Sequence, residues 1–207
     1  MKKTVVYAAL AVLAAVAIVS VYSLSSNDAE DTSAYVASIE KERADQQTFM
    51  REDPNSPFVL EKKEFNGLSY FPVDARYKVK AKLEPIDNKE VMTLTTSDGS
   101  IQSYLPHAHA HFKIDGVACK LLLLEVMQMG PQRGTLFLAF GDATSGQETY
   151  GAGRYLAVKK VRGATHIELD FNRAYNPYCA YVDNFSCPFP PKENVLPVAI
   201  LAGEKQY

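Results

Sequence analysis

An alternation of apolar and polar residues with a period of two dominates the chain from about residue 58 onward. In residues 77–83 four apolar side chains alternate with three lysines, the pattern of a strand with one face on a core and one in water. The same pattern predicts eight further strands, at residues 91–95, 101–105, 108–114, 117–126, 135–140, 154–158, 165–171 and 196–202. We place 121–124 and 136–140 centrally in the fold, because both stretches are apolar on both faces.

Turn residues separate these segments, including Asp115-Gly116, Gly130-Pro131 and Arg162-Gly163. Short strands at such regular spacing are typical of antiparallel all-β folds. The sequence therefore predicts a mainly β fold, an antiparallel sandwich or a barrel-like domain. We expect an N-terminal membrane helix and one short amphipathic helix to precede it.

The amphipathic helix is predicted at residues 33–52, with Thr32 or Ser33 as its N-cap and with Pro54 and Pro57 ending it. Its apolar side is sparse, so it is weakly amphipathic. We interpret it as a spacer or as a helix docked at the edge of the domain, with a partner-binding helix as the alternative.

The amino terminus has the pattern of an export segment. Lys2 and Lys3 precede residues 4–24, which contain no charge and would span about 31 Å as a helix. This predicts a transmembrane anchor or a cleaved signal at 1–24, a polar linker and helix at 25–57, and a β domain at 58–207. The expected location is the cell envelope, on the extracytoplasmic side of the inner membrane, or the periplasm if the segment is cleaved.

Composition excludes some partners. The chain has 207 residues, of which 47% are hydrophobic and 22% charged, enough for one ordinary domain plus an appendage. Beyond residue 24 there are 20 basic and 24 acidic residues, a net charge of −4, and no basic cluster. Nucleic acid is therefore not expected as a partner. No motif indicates a cofactor, since the glycines of residues 141–156 fit neither the dinucleotide nor the P-loop spacing.

Three histidines alternate at positions 107, 109 and 111 of a predicted strand, which places them on one face. Neighbours would stand about 6.8 Å apart, so at most two could share a zinc ion. The same face continues into Lys113, which is typical of a surface in water. We therefore favour a solvated or pH-responsive face and predict no metal site.

Residues 170–194 lack both the helical and the strand period. We expect this segment, the cap, to be ordered by side-chain hydrogen bonds and proline geometry. In an oxidising compartment Cys179 and Cys187 are candidates for a disulfide, with unpaired buried thiols, a nucleophile or a metal ligand as alternatives. Cys119 has the position of a core residue.

Four stretches, ETYGAGRYL, LDFNRAYNPYCAY, CPFPPKEN and the terminal AGEK, resemble the uncharacterised bacterial family named domain of unknown function 1684. The resemblance covers residues 67–205 and implies no activity. The positions that match its motif are Asp142, Glu148, Tyr150, Arg154, Asp170, Asn172, Tyr175, Asn176, Cys179, Cys187, Glu193 and Asn194.

The leading functional hypothesis is a membrane-tethered binding module of the cell envelope that accepts a small or lipidic molecule between sheet and cap. The residues expected to line this site are Tyr150, Arg154, Asn172, Tyr175 and Asn176. The other ligand-binding candidates are Asp142, Glu148, Asp170, Glu193 and Asn194. One alternative is a hydrolase with Glu148 or Asp170 as general base and Arg154 stabilising negative charge. Another is a purely structural, partner-binding domain.

Overall fold

The computed structural model describes residues 31–207 of the chain. The predictions for residues 1–24 lie outside this range. Within residues 31–207 no helix is both long enough and apolar enough to cross a membrane. Contacts divide the chain into one unit that ends at Glu42 and a second, Arg43–Tyr207, which contains every strand of the described residues.

Residues 31–52 are helical and form α1. Because residue 31 is already helical, the predicted N-cap at Thr32 or Ser33 is wrong. The helix ends before Pro54, as predicted, and a short helix α2 follows at Pro57–Leu60. The end of α1 packs on the β domain, since Met50 is buried in one cluster with Phe58 and Tyr181.

The strands of the described chain match most of the predicted segments. They are β1 Lys78–Pro85, β2 Met92–Thr95, β3 Ile101–Ile114, β4 Val117–Val126, β5 Leu136–Phe137, β6 Ala139–Phe140, β7 Arg154–Tyr155 and β8 His166–Asp170. The antiparallel order of the main sheet is β5-β4-β3-β1-β8, with β2 also paired to β3, while β6 and β7 pair separately. The fold is thus mainly antiparallel β, as predicted. Of the two predicted architectures, a sandwich or a barrel, the barrel does not form among the described strands, because the outer strands β5 and β8 do not pair with each other.

Apolar side chains cover both faces of the main sheet. Successive leucines of β4 point to opposite faces, with Leu121 and Leu123 in the larger cluster and Leu122 and Leu124 in a smaller one. The central placement predicted for residues 121–124 is therefore confirmed. The larger cluster, here called the main core, also contains residues from beyond the sheet, such as Phe171 and Ile200.

The predicted strand at 196–202 is wrong. Its alternation is real, since Ile200 and Ala202 are fully buried, but no strand forms there. The reason is a competing donor: the Arg154 guanidinium binds the carbonyl oxygens of both residues, which a neighbouring strand would otherwise occupy.

Candidate functional site

Arg154 is the centre of a buried polar network. Its side chain is 1% exposed and donates to Asp142 Oδ2 at 2.9 Å and to the carbonyl oxygen of Ile200 at 2.9 Å. Asp142 also accepts hydrogen bonds from the backbone and hydroxyl of Thr144, at 2.8 and 2.6 Å. Burial lowers the pKa of Arg154, and Asp142 opposes this shift. The two terminal nitrogens of the guanidinium thus join the loop after β6 to the last residues of the chain, while its Nε is buried without a hydrogen-bond partner.

A second part of the network surrounds Glu204. Its carboxylate accepts hydrogen bonds from the Tyr181 hydroxyl at 2.5 Å and from the backbone N–H of Asn176 at 2.8 Å. Burial raises the pKa of Glu204 to about 7. Gly203 has φ +74°, and a Cβ there would lie 2.6 Å from the carbonyl oxygen of Ala174, so only glycine fits. Through these contacts the AGEK stretch, residues 202–205, holds the cap in place. We call this stretch the clasp.

The side-chain amides of two asparagines in the cap form hydrogen bonds with main-chain groups, in the way that a neighbouring backbone segment would. Asn194, fully buried, accepts from the N–H of Leu122 at 2.7 Å and donates to the carbonyl oxygens of Leu122 and Ala139, both at 2.9 Å. Asn172 accepts from the N–H of Asp74 at 2.9 Å and donates to its carbonyl oxygen at 2.8 Å. Each closes a gap in the backbone hydrogen bonding between segments far apart in sequence.

The structure therefore brings many of the predicted site residues together, but into packed interior rather than around a cavity. A cavity was expected beside Tyr175. Tyr175 instead pairs its backbone with that of Tyr155, through hydrogen bonds of 2.8 and 3.0 Å. Of the four main cavities that residues 31–207 line, none is lined by Tyr150, Arg154, Asn172, Tyr175 or Asn176.

The two carboxylates of the hydrolase hypothesis, Glu148 and Asp170, do not line a common cavity among these four. Asp170 lines one of them, where its carboxylate contacts Arg173 and accepts from Asn172. Glu148 is exposed and lines none of the four. The geometry gives no support to an acid–base pair of these two residues.

The predicted disulfide is absent, and Cys179 and Cys187 are free thiols. The two residues are nevertheless in contact, since the backbone N–H of Cys179 donates to Cys187 Sγ at 3.2 Å. The cap keeps its fold without the cross-link because buried side chains such as Asn176 and Asn194 supply its hydrogen bonds.

A β-bulge separates the three histidines. The pairing of β3 with β4 shifts register between Pro106 and Ala108, which leaves His107 as the extra residue. Leu124 and Leu123 are consecutive on β4, but their partners Pro106 and Ala108 are two residues apart on β3. The bulge therefore reverses the alternation of side chains along β3. The prediction that the three histidines share one face is therefore wrong for His107.

His109 and His111 stay on the opposite face, each next to a carboxylate. His109 Nε2 lies 3.0 Å from Glu193 Oε2, and His111 Nε2 lies 2.7 Å from Glu84 Oε2. Glu193 also lines a cavity of about 620 Å³ with residues of β2, such as Leu94. Residues 31–207 contain no group of three or more potential ligands arranged for a metal ion.

His107 lines two neighbouring cavities at the edge of the main core. The first, of about 300 Å³, has apolar walls from Leu83, Leu136, Leu156 and Ile167. The second, of about 620 Å³, shares Leu83, His107, Val161 and Ala164 with the first. We call the two together the edge cavity. Leu83, Leu136 and Ile167 also pack against the main core, so the edge cavity is an opening of that core.

The His107 imidazole is incompletely satisfied. Its Nδ1 is buried without a hydrogen-bond partner, and lies 3.7 Å from Glu125 Oε2. Burial lowers the pKa of His107, and nearby Lys89 and Lys160 add to this effect. The ring is therefore held neutral at neutral pH, with polar capacity unused.

The rim of the edge cavity has more cationic side chains than its ion pairs occupy. Glu125 binds Lys160 at 2.6 Å, and Asp170 binds Arg173. Three further cations on the rim, Lys89, Lys159 and Arg162, form no ion pair with any described residue. The rim also carries the carboxylates Asp87 and Glu168, so that five cations face four carboxylates and the mouth of the apolar site has a small positive balance.

Sequence reasoning missed most of this site. Of the predicted candidates only Asp170 lines the edge cavity. Proline at position 106 was the available signal for His107, because proline within a strand favours a bulge. Glu204 lay in a recognised stretch, AGEK, but was not selected.

Comparison with known proteins places the chain in a family without an assigned activity. No curated protein matches it. The chain is similar to the solution NMR structure of an uncharacterized protein from gene locus rrnAC0354 of Haloarcula marismortui, with 38% identity and a TM-score of 0.63. The match covers 85% of this chain and 96% of that one. A model of the family described as protein of unknown function (DUF1684) matches residues 63–205, and the chain belongs to that family.

Proposed function

We propose that the β domain binds a small amphipathic molecule with an anionic head, whose apolar part enters the edge cavity. The observation that carries this proposal is an apolar opening of the main core with unpaired cations at its rim. Small-molecule sites are typically concave, mostly apolar and of about 300–1,000 Å³, with a few polar groups that fix orientation. Both parts of the edge cavity fall in that range.

The apolar walls provide affinity without chemical selectivity. Leu83, Leu136, Leu156 and Ile167 come from four different segments, so the wall exists only in the folded domain. Burying an aliphatic chain against such walls contributes about 0.8 kcal/mol per methylene group. A short acyl or alkyl chain is therefore the class of tail that this cavity suits.

The rim selects the head group. Lys159 lines the first part of the edge cavity, and Lys89 and Arg162 line the second. A carboxylate or phosphate can approach these cations without breaking an existing ion pair. His107 Nδ1, buried and unpartnered, gives a further polar contact between the two parts.

Binding of three probes with the same tail tests this proposal. We would titrate the full-length chain by calorimetry with octanoate, octanol and octyltrimethylammonium. Octanoate should bind most tightly, octanol roughly tenfold more weakly, and the cation weakest, since a single favourable charge contact of about 1.4 kcal/mol is worth a factor of ten.

Two variants and a control locate the binding. Ala164→Trp should abolish binding of octanoate and octanol, because Ala164 lines both parts of the edge cavity. Lys159→Gln should weaken octanoate severalfold and leave octanol unchanged. Lys192→Gln, which removes a lysine from the cavity beside β2, is the matched control and should change neither. Failure of all three probes to bind, or binding that survives Ala164→Trp, would overturn the proposal.

We further propose that residues 4–24 tether this module to the membrane, with the domain on the extracytoplasmic side, or release it to the periplasm if cleaved. The support is the uncharged run after Lys2 and Lys3. Cell fractionation with protease treatment tests this. A domain digested only after the outer barrier is opened agrees with export, and a domain recovered with the cytosol contradicts it.

A further inference from the structure

We propose that Cys179 and Cys187 form a dithiol site for thiol–disulfide exchange with small disulfides, in which Cys179 attacks and Cys187 resolves. The site is separate from the edge cavity, and neither cysteine lines it. It also differs from the permanent cross-link that the sequence predicted, because the reactive form is the pair of free thiols.

The two thiols differ in exposure in the sense that the reaction requires. Cys179 is half-buried, so a small molecule can reach its sulfur, whereas Cys187 is buried. The accessible Cys179 sulfur can react with an external reagent, whereas the buried Cys187 sulfur can react only with Cys179. This is the division of roles between an attacking and a resolving cysteine.

The positions of both residues are fixed by hydrogen bonds. Cys187 is held by Ser97, whose N–H donates to the Cys187 carbonyl oxygen at 2.9 Å and whose Oγ accepts from the Cys187 N–H at 3.1 Å. Cys179 lies in a 3₁₀ turn at Tyr178–Ala180, and its N–H points to Cys187 Sγ at 3.2 Å. The sulfurs are therefore neighbours before any reaction takes place.

Donors around Cys179 stabilise its thiolate. A hydrogen bond with the Cys187 thiol lowers the pKa of Cys179 to about 6, and the Tyr150 hydroxyl, which donates to Cys179 Sγ at 3.9 Å, contributes to the shift. The same hydrogen bond between the sulfurs, together with burial, raises the pKa of Cys187. A thiolate is the nucleophilic form of cysteine, so at neutral pH the accessible sulfur is the activated one.

The reaction balances with a small disulfide, R–S–S–R, as the oxidant. The Cys179 thiolate attacks one sulfur, a Cys179–S–S–R bond forms, and the R–S–S–R bond breaks to release RS⁻, which takes the proton of Cys187. The Cys187 thiolate then attacks Cys179 Sγ and releases the second RS⁻, which is protonated by water. Two protein thiols are oxidised to one bridge, and the disulfide is reduced to two thiols.

Reactivity of the full-length wild-type chain gives a first test that needs no substitution. We would alkylate the reduced chain with iodoacetamide between pH 5 and pH 9 and map each cysteine by mass spectrometry. Cys179 should react at least about tenfold faster than Cys119 or Cys187 at pH 7, with a half-maximal rate near pH 6. Equal rates at Cys179 and Cys119, whose pKa burial raises, would overturn the proposal.

Trapping then tests the resolving step, with glutathione disulfide as the probe. The wild-type chain should release two glutathione thiols and gain a Cys179–Cys187 bridge, whereas Cys187→Ser should stop at a mixed disulfide on Cys179. Tyr150→Phe should move the alkylation midpoint to higher pH, and Cys119→Ala, the control, should behave as wild type. A wild-type chain that accumulates the mixed disulfide, or that forms no bond with glutathione, would refute the proposed roles.

Discussion

Substitution of Arg154 tests whether the family motif encodes structure or a ligand site. The change Arg154→Met keeps most of the side-chain stem and removes the guanidinium. In the folded chain this leaves Asp142, with a 1% exposed side chain, as an unpaired buried carboxylate. It also leaves the carbonyl oxygens of Ile200, Ala202 and Glu204 without this donor.

The expected loss is large because the pair is buried. Removing one partner of a buried ion pair costs about 3–5 kcal/mol, mostly from the charge that remains. Domains of this size unfold with about 5–15 kcal/mol, so the variant should be close to the limit of folding. In urea, with an m-value of about 2 kcal/mol per M, the midpoint should fall by roughly 2 M. Adding Asp142→Asn should recover part of the loss, since it removes the isolated charge.

Arg76→Met is the matched control. Arg76 contacts Asp74 at 2.7 Å, a shorter distance than the 2.9 Å between Arg154 and Asp142, but its side chain is 63% exposed. An exposed ion pair stabilises the fold only slightly, because both groups are solvated whether or not they pair. This variant should therefore unfold at nearly the wild-type urea concentration. Equal midpoints for the two variants would refute the reasoning. So would a normally stable Arg154→Met chain that had lost octanoate binding, since that would assign Arg154 to the ligand.

Two further substitutions test the clasp at the end of the chain. Gly203→Ala should destabilise the domain by more than Gly163→Ala, because the two glycines share φ near +74° but only Gly203 would place its Cβ against a backbone oxygen; comparable urea midpoints would contradict this. The raised pKa of Glu204, about 7 against an ordinary 4.5, means that between these pH values the folded chain holds a proton that the unfolded chain has lost. The free energy of unfolding should therefore fall as the pH rises through this window, by at most about 3 kcal/mol. Glu204→Gln should remove this part of the slope, and identical pH profiles of wild type and variant would sink the assignment.

Local patterns in the sequence determined most of the strands and the irregular cap. The alternation in β1, the double-faced apolar run in β4 and the Asp115-Gly116 turn are each properties of a few neighbouring residues. Asp115 and Gly116 both have positive φ, as a type I′ hairpin turn requires. The cap, residues 170–194, begins at the last residue of β8 and otherwise contains two short 3₁₀ turns, yet Asn172, Asn176 and Asn194 are at most 2% exposed, so an aperiodic stretch can be held by its side chains.

Only the tertiary structure decided which residues these elements bring together and which faces they present. The bulge that moves His107 to the other face depends on pairing with β4, and the loss of the predicted strand at 196–202 depends on Arg154, more than forty positions away. The edge cavity likewise needs Leu83, Leu136 and Ile167 to meet at one edge of the core. A periodic pattern records the local choice of backbone and the side that faces a core. It does not record which distant donor reaches a given carbonyl oxygen, or where packing leaves space, because both follow from contacts between segments that only folding brings together.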